Sequence, residues 1–130
     1  MTILVPIDGS RAAENAVRHV IGLSASGMAL KVHLLNVQGE SEATAVQRMA
    51  ADNATRAARA LLLGARIDFE SHVRTGSAAE AIVRLARDER CRKIVMGTRR
   101  LGTVAGLVLG SVASQVLRFA AVPVTLVRES

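Results

Sequence analysis

The chain has 130 residues, half of them hydrophobic, with two Phe and neither Trp nor Tyr. That length suits one compact domain, 1–130, with a core of Val, Ile, Leu, Ala and Met. The formal net charge is +6, and of 17 basic residues only Lys31 and Lys93 are lysines. The arginines are scattered along the chain, and stacking aromatics are missing, which argues against a nucleic-acid partner.

A single cysteine, Cys91, excludes an internal disulfide framework. Its place before an apolar run predicts a small packed residue. The opening "MTILVPIDGS" has no basic n-region and no cleavage site, so it reads as a strand and not as a signal peptide. A cytoplasmic setting is expected.

The first strand is expected over Thr2–Asp8, ended by Gly9-Ser10, and its apolar run predicts burial on both faces. A helix follows, capped by Ser10 and stopped by Gly27, with Ala13, Val17, Val20 and Ile21 at helical spacing. Leu30–Gln38 is the second strand. A long alanine-rich helix is expected from Ser41 to Leu63, with Val46, Ala50, Asn53, Ala57 and Leu61 near one face. The third strand, Ile67–Val73, alternates Ile67, Phe69, Ser71 and Val73, which suggests a sheet edge. Ser77 and Glu80 have capping-box spacing at the start of the next helix, where Ala79, Ile82, Val83 and Ala86 form the apolar stripe. "RKIVMG" is a fourth strand. A last helix starts at Ser111, with Val112, Val116, Leu117 and Ala120 predicted inward, and "VPVTLVRE" is a fifth strand.

Strict alternation of strands and helices demands a parallel sheet covered on both faces: an α/β, doubly wound architecture. Ligands of such sheets bind outside the carboxyl ends of the strands, where the winding reverses. Asp8-Gly9, Asn36-Val37, Arg74-Thr75-Gly76 and Gly97-Thr98 fall at those ends. If the first and fourth strands are neighbours, as in the flavodoxin-like order, Asp8 faces Gly97. A glycine, Gly110, then leads into the helix at Ser111, where free amides and the helix dipole suit an anion. Together these suggest a nucleotide. The plainer reading is that Gly97 ends a strand, Gly110-Ser111 is a turn and cap, and Asp8 caps the first helix.

The stretches "ILVPIDGS", "VRTGSAAEAIVRLA", "IVMGTR", "LGSVASQVL" and "VPVTLV", in this order, resemble the universal stress protein family over Thr2–Val127. The resemblance implies a five-stranded sheet of order 3-2-1-4-5, similar to the adenine-nucleotide alpha-hydrolase fold, and a homodimer, often through the last strand, here 122–127. Some members bind ATP through Gly, two residues, Gly, nine residues, then Gly with Ser or Thr. Gly97, Gly110 and Ser111 match that pattern, whereas Arg100 stands where the second glycine belongs. Asp8 matches the aspartate that contacts adenosine, and Val37 the position against adenine. The implied binding set is Pro6, Ile7, Asp8, Val37, Met96, Gly97, Thr98, Arg99, Arg100, Gly110, Ser111 and Val112. The cofactor would be ATP or another adenine nucleotide, with or without Mg²⁺, in a protein of stress response or signalling. The alternative, carried by Arg100 and by a short connection after Val37, is a dimeric interaction module of the same family that binds no nucleotide.

Other chemistries find little support. No Walker lysine follows Gly110, so at most slow ATP hydrolysis is expected. His19, His33 and His72 have no partner at zinc-ligand spacing along the chain, so no metal site is expected. Gly102, Gly106 and Gly110 are spaced by four inside an uncharged run from Leu101 to Leu117. That run interrupts its apolar residues with Ser, Thr and Gln and lies between two strands of one sheet, which argues against a membrane span.

Overall fold

The computed structural model describes residues 1–39, 44–98 and 110–129. In chain order the elements are β1 (Thr2–Pro6), α1 (Arg11–Ala25), β2 (Lys31–Gln38), α2 (Thr44–Gly64), β3 (Asp68–Thr75), α3 (Ala78–Asp88), β4 (Lys93–Thr98), α4 (Ser111–Phe119) and β5 (Val124–Arg128). The strands form one sheet in the order β3-β2-β1-β4-β5, and each neighbouring pair is parallel.

β1 lies at the centre, and Ile3, Leu4 and Val5 are fully buried because both faces of the sheet are covered. On one face Ile3, Val5, Val32, Leu34 and Val95 meet Ala16, Val17 and Val20 of α1 and Ala58 and Leu62 of α2. On the other, Leu4, Leu35, Ile94 and Met96 meet Ile82 and Leu85 of α3 and Ala113 and Val116 of α4. Successive strand residues feed opposite faces, so the unbroken apolar runs of β1 and β4 supply both cores.

Three helix boundaries have visible causes. The Ala13 amide donates to Ser10 Oγ at 3.1 Å, capping α1, and the Glu80 amide donates to Ser77 Oγ at 3.4 Å, capping α3. α3 ends where Arg90 takes a left-handed φ of 54°. β5 starts at Val124 and not at Val122, because Pro123 has no amide to give the ladder. Its carbonyl still accepts from the Ile94 amide at 3.0 Å.

Two predicted faces need correction. The buried stripe of α2 is Ala51, Thr55, Ala58 and Leu62. Val46 is exposed, as are Asn53 and Ala57, while Leu61 is only partly buried. Alanine scattered around the helix left the phase open, and Leu62 decides it. The buried Thr55 hydroxyl donates back to the Ala51 carbonyl at 2.8 Å, which is how α2 tolerates a polar residue there. On α4 only Ala113 and Val116 are buried, while Val112 and Leu117 are exposed. Burial fades from Ile67, just before β3, through Phe69 to exposed Ser71 and Val73, as suits an edge strand.

Cys91 is buried beside Ala86, Ile94 and Val116 in the second core. Burial, with Glu89 adding to it, pushes its thiol from an ordinary 9.0 up to about 11. A thiolate fraction of about one in a thousand at pH 8 follows. The expected result is that an aromatic disulfide reagent leaves Cys91 unmodified at pH 8 in the native protein and titrates one thiol in urea. Rapid native labelling would contradict this environment.

Among the described residues no helix is long and apolar enough to cross a membrane. The uncharged run from Leu101 to Leu117 lies, up to residue 109, outside the described residues.

Candidate functional site

The winding direction reverses between β1 and β4. β1, β2 and β3 step one way across the sheet, and the chain then returns to place β4 on the other side of β1. At the carboxyl ends of these strands a cleft of about 430 Å³ opens on the α3–α4 side. That volume is in the range of small-molecule sites, about 300–1,000 Å³. Pro6, Ile7 and Asp8 line it from the end of β1, Val37 from β2, Met96, Gly97 and Thr98 from β4, and Gly110, Ser111 and Val112 from the start of α4. Arg99 and Arg100 lie outside the described residues.

Several wall residues lie outside the expected binding set. Leu35, Ala78 and Ile82 make the apolar floor, and Ser10, Ala12 and Ala13 come from the start of α1. Ile82 was visible only as one member of the buried stripe of α3. Nothing local in the sequence says that its helix forms a cleft wall.

Asp8 is exposed, in the turn that joins β1 to α1. Its Oδ1 accepts the Ser10 amide at 2.9 Å, which leaves the second oxygen for a ligand. Gly9 between them has a φ of +84°, which disfavours any residue with a side chain, and a Cβ added there would meet the Ala54 Cα of α2 at 3.4 Å. The buried Asn36 fixes the same wall from behind. Its side-chain amide donates to the Ile7 carbonyl at 2.7 Å, the Gln38 side-chain amide donates to Asn36 Oδ1, and the Ile7 amide donates to the Leu35 carbonyl at 2.8 Å. Sequence reasoning placed Asn36 at a strand end and assigned it no task.

Opposite Asp8, α4 presents its N-terminus. The N-cap is Gly110, with φ −63° and ψ 162°, and no side chain caps the helix. Ser111 is therefore the first helical residue. The opening amides of α4 remain available to an acceptor, with the positive end of the helix dipole behind them. An anion fits this corner, and a hydroxylated group fits the Asp8 corner. Val37, Leu35, Ile82 and Met96 offer an apolar surface between the two.

Gly97 has a structural duty of its own. A Cβ there would lie 2.2 Å from both the carbonyl carbon and the oxygen of Ala12, and 2.6 Å from the Ala13 amide nitrogen. The first turn of α1 rests directly on β4, and the glycine is needed for that approach even without a ligand.

A second polar cluster lies on the α3 side of the sheet, across β2 and β3. His33 is 2 % exposed, and its Nδ1 is 2.8 Å from His72 Nε2. Glu70 Oε2 is 3.7 Å from His33 Nδ1 and 3.0 Å from Lys31 Nζ. Lys31 lowers the Glu70 carboxyl, and Glu70 raises the Lys31 ammonium, through a hydrogen bond at the surface. Burial, then the neighbouring His33 and Arg74, pushes His72 down from its ordinary range, which favours the neutral ring.

A parallel five-stranded sheet of order 3-2-1-4-5 with a cleft at its reversal point defines a doubly wound α/β protein. The model of the universal stress protein family (Usp) matches residues 1–128, and the chain belongs to that family. It is 30% identical to universal stress protein G of Escherichia coli O157:H7, an alignment that covers 98% of each chain. It is 51% identical over 53 residues to the "universal stress protein in QAH/OAS sulfhydrylase 3′ region" of Thermus aquaticus, covering 41% of this chain and 39% of that one. Among solved structures, a universal stress protein in complex with cAMP superposes with a TM-score of 0.73 at 27% identity, covering 100% of this chain and 98% of the other.

Proposed function

We propose that the protein binds an adenine nucleotide in the β1–β4 cleft and acts in stress response or signalling as a homodimer, at most hydrolysing ATP slowly. The observation that carries the reading is the pairing, across one cleft, of the Asp8 carboxylate with the uncapped N-terminus of α4. Asp8 would accept from the ribose hydroxyls. Val37 and Ile82 would lie against the base, and the amides after Gly110, with the Ser111 hydroxyl, would receive the phosphates. The similar protein in complex with cAMP supports the choice of an adenine nucleotide. For the homodimer, β5 is the last strand of the sheet, with no further strand beside it among the described residues, and could pair with a second copy.

The test has two stages. Denaturing the purified protein should release an adenine nucleotide detectable by chromatography, and the emptied protein should rebind ATP, ADP, AMP or cAMP on titration. Asp8→Ala, which removes an exposed side chain, should weaken binding by about 10- to 100-fold, the worth of a charge-assisted hydrogen bond. Arg100→Gly should tighten ATP binding. An empty protein that takes up none of the four at millimolar concentration would leave the interaction-module reading in its place. Size exclusion with light scattering measures the dimer independently.

A further inference from the structure

We propose that His33, Glu70 and His72 form a binding site for a borderline divalent transition metal ion, with Zn²⁺ the natural occupant. The three side chains each offer one ligand atom, and these atoms all lie within 4.8 Å of one another. Two imidazole nitrogens and one carboxylate oxygen are a zinc donor set that leaves a fourth position for water or another ligand. The cluster shares no residue with the cleft under β1 and β4.

The sheet register builds the site. His33 pairs with Glu70, and Leu35 with His72, so His72 is the diagonal neighbour of His33 on one face. Leu35, two residues along β2 from His33, belongs to the apolar core with Leu4 and Ile82. Packing alone would be met by another aliphatic side chain at position 33. Instead a fully buried imidazole points its Nδ1 at a second imidazole nitrogen and a carboxylate.

The other nitrogen of His33 faces a carboxylate beyond hydrogen-bond distance. His33 Nε2 lies 4.0 Å from Glu89 Oε2, at the end of α3. A carboxylate there favours the tautomer with the proton on Nε2 and the lone pair of Nδ1 facing the cluster. The proton between the two rings then sits on His72 Nε2, which donates to His33 Nδ1. Metal entry moves that proton to the other nitrogen of His72, so no proton leaves the pair. The geometry needs only small adjustment. Two nitrogens on one tetrahedral zinc stand about 3.3 Å apart, against 2.8 Å here. Lys31 is exposed and can turn its ammonium from Glu70 to water as the cation arrives.

The test uses the full chain without a polyhistidine tag, freed of metal by a chelator and titrated calorimetrically with ZnCl₂. One ion per chain is expected, with binding weakened at least about 10-fold in both His72→Gln and Glu70→Gln, the least expected when a ligand is lost. Both positions are at or near the surface, so the variants should keep the native circular dichroism spectrum. In the parent, histidine NMR resonances of His33 and His72 should shift with zinc while that of His19 stays fixed. No binding at about 100 µM zinc, well above the range of a built site, would overturn the proposal. Binding that both variants retain, or that moves His19 instead, would overturn it equally.

Discussion

Gly97→Ala should destabilise the protein by about 3 kcal/mol or more, at the upper end of overpacking effects. The atoms in the way are backbone. The new methyl would stand 2.2 Å from the Ala12 carbonyl carbon and oxygen, and neither can rotate aside as a side-chain tip could. The first turn of α1 would have to lift from β4, taking with it Ser10, whose amide holds Asp8 and whose hydroxyl caps the helix. Loss of stability and loss of the cleft should therefore appear together. Gly110→Ala is the control. It has ordinary negative φ and nothing within 4 Å of an added Cβ, so a change within about 0.5 kcal/mol is expected. Urea unfolding of the two variants gives both numbers, and equal midpoints would refute the close approach of α1 to β4.

Leu62→Ala should cost about 3 kcal/mol, the middle of the range for emptying a buried leucine site. Its side chain is fully buried between α2 and the sheet, beside Val32, Leu34 and Ile67. Relief of the cavity by collapse is limited because strands on one side and α1 on the other bound the space. Leu61, one residue earlier, is only partly buried, and Leu61→Ala should cost about 1 kcal/mol, in proportion to the smaller area removed from water. The difference corresponds to roughly 8 °C in melting temperature for a chain of this size. Thermal unfolding followed by circular dichroism separates the two cases. Equal losses would mean that α2 sits about half a residue out of the phase described above.

The same pair of leucines shows where sequence reasoning loses resolution. Strands were legible because their apolar runs are short and bounded by glycine or a capping serine, as at Asp8-Gly9-Ser10. The alternation of elements then required a parallel sheet. The order 3-2-1-4-5 came from family resemblance, and the structure has it. The phase of α2 was ambiguous because alanine contributes almost equally to every direction around the helix, and only Leu62 against Leu61 tips it. On α4 Val112 has core-like spacing but is exposed, because it lies in the first turn of the helix and lines the cleft. The two ends of the cleft, Asp8 and Gly110-Ser111, could be listed from the rule that ligands sit at strand carboxyl ends. The floor under them could not, since Leu35 and Ile82 reach it by crossing distances that no local pattern encodes. Gly97 was legible as a glycine but not in its cause, which is a helix backbone eighty-odd positions away in the chain. The contact of His33 with Glu70 and His72 depends wholly on β2–β3 register, and spacing along the chain says nothing about it.

The buried Asn36 has a thermodynamic consequence for whatever enters the cleft. By tying the Ile7 carbonyl to β2, it sets the last residues of β1 before any ligand is present, and Asp8 is already held by Ser10. An incoming molecule meets a preorganised wall on that side. Little conformational entropy remains to be lost there on association, so more of the contact energy appears as affinity. A side chain outside the cleft lining thus stiffens the wall that such a molecule would meet.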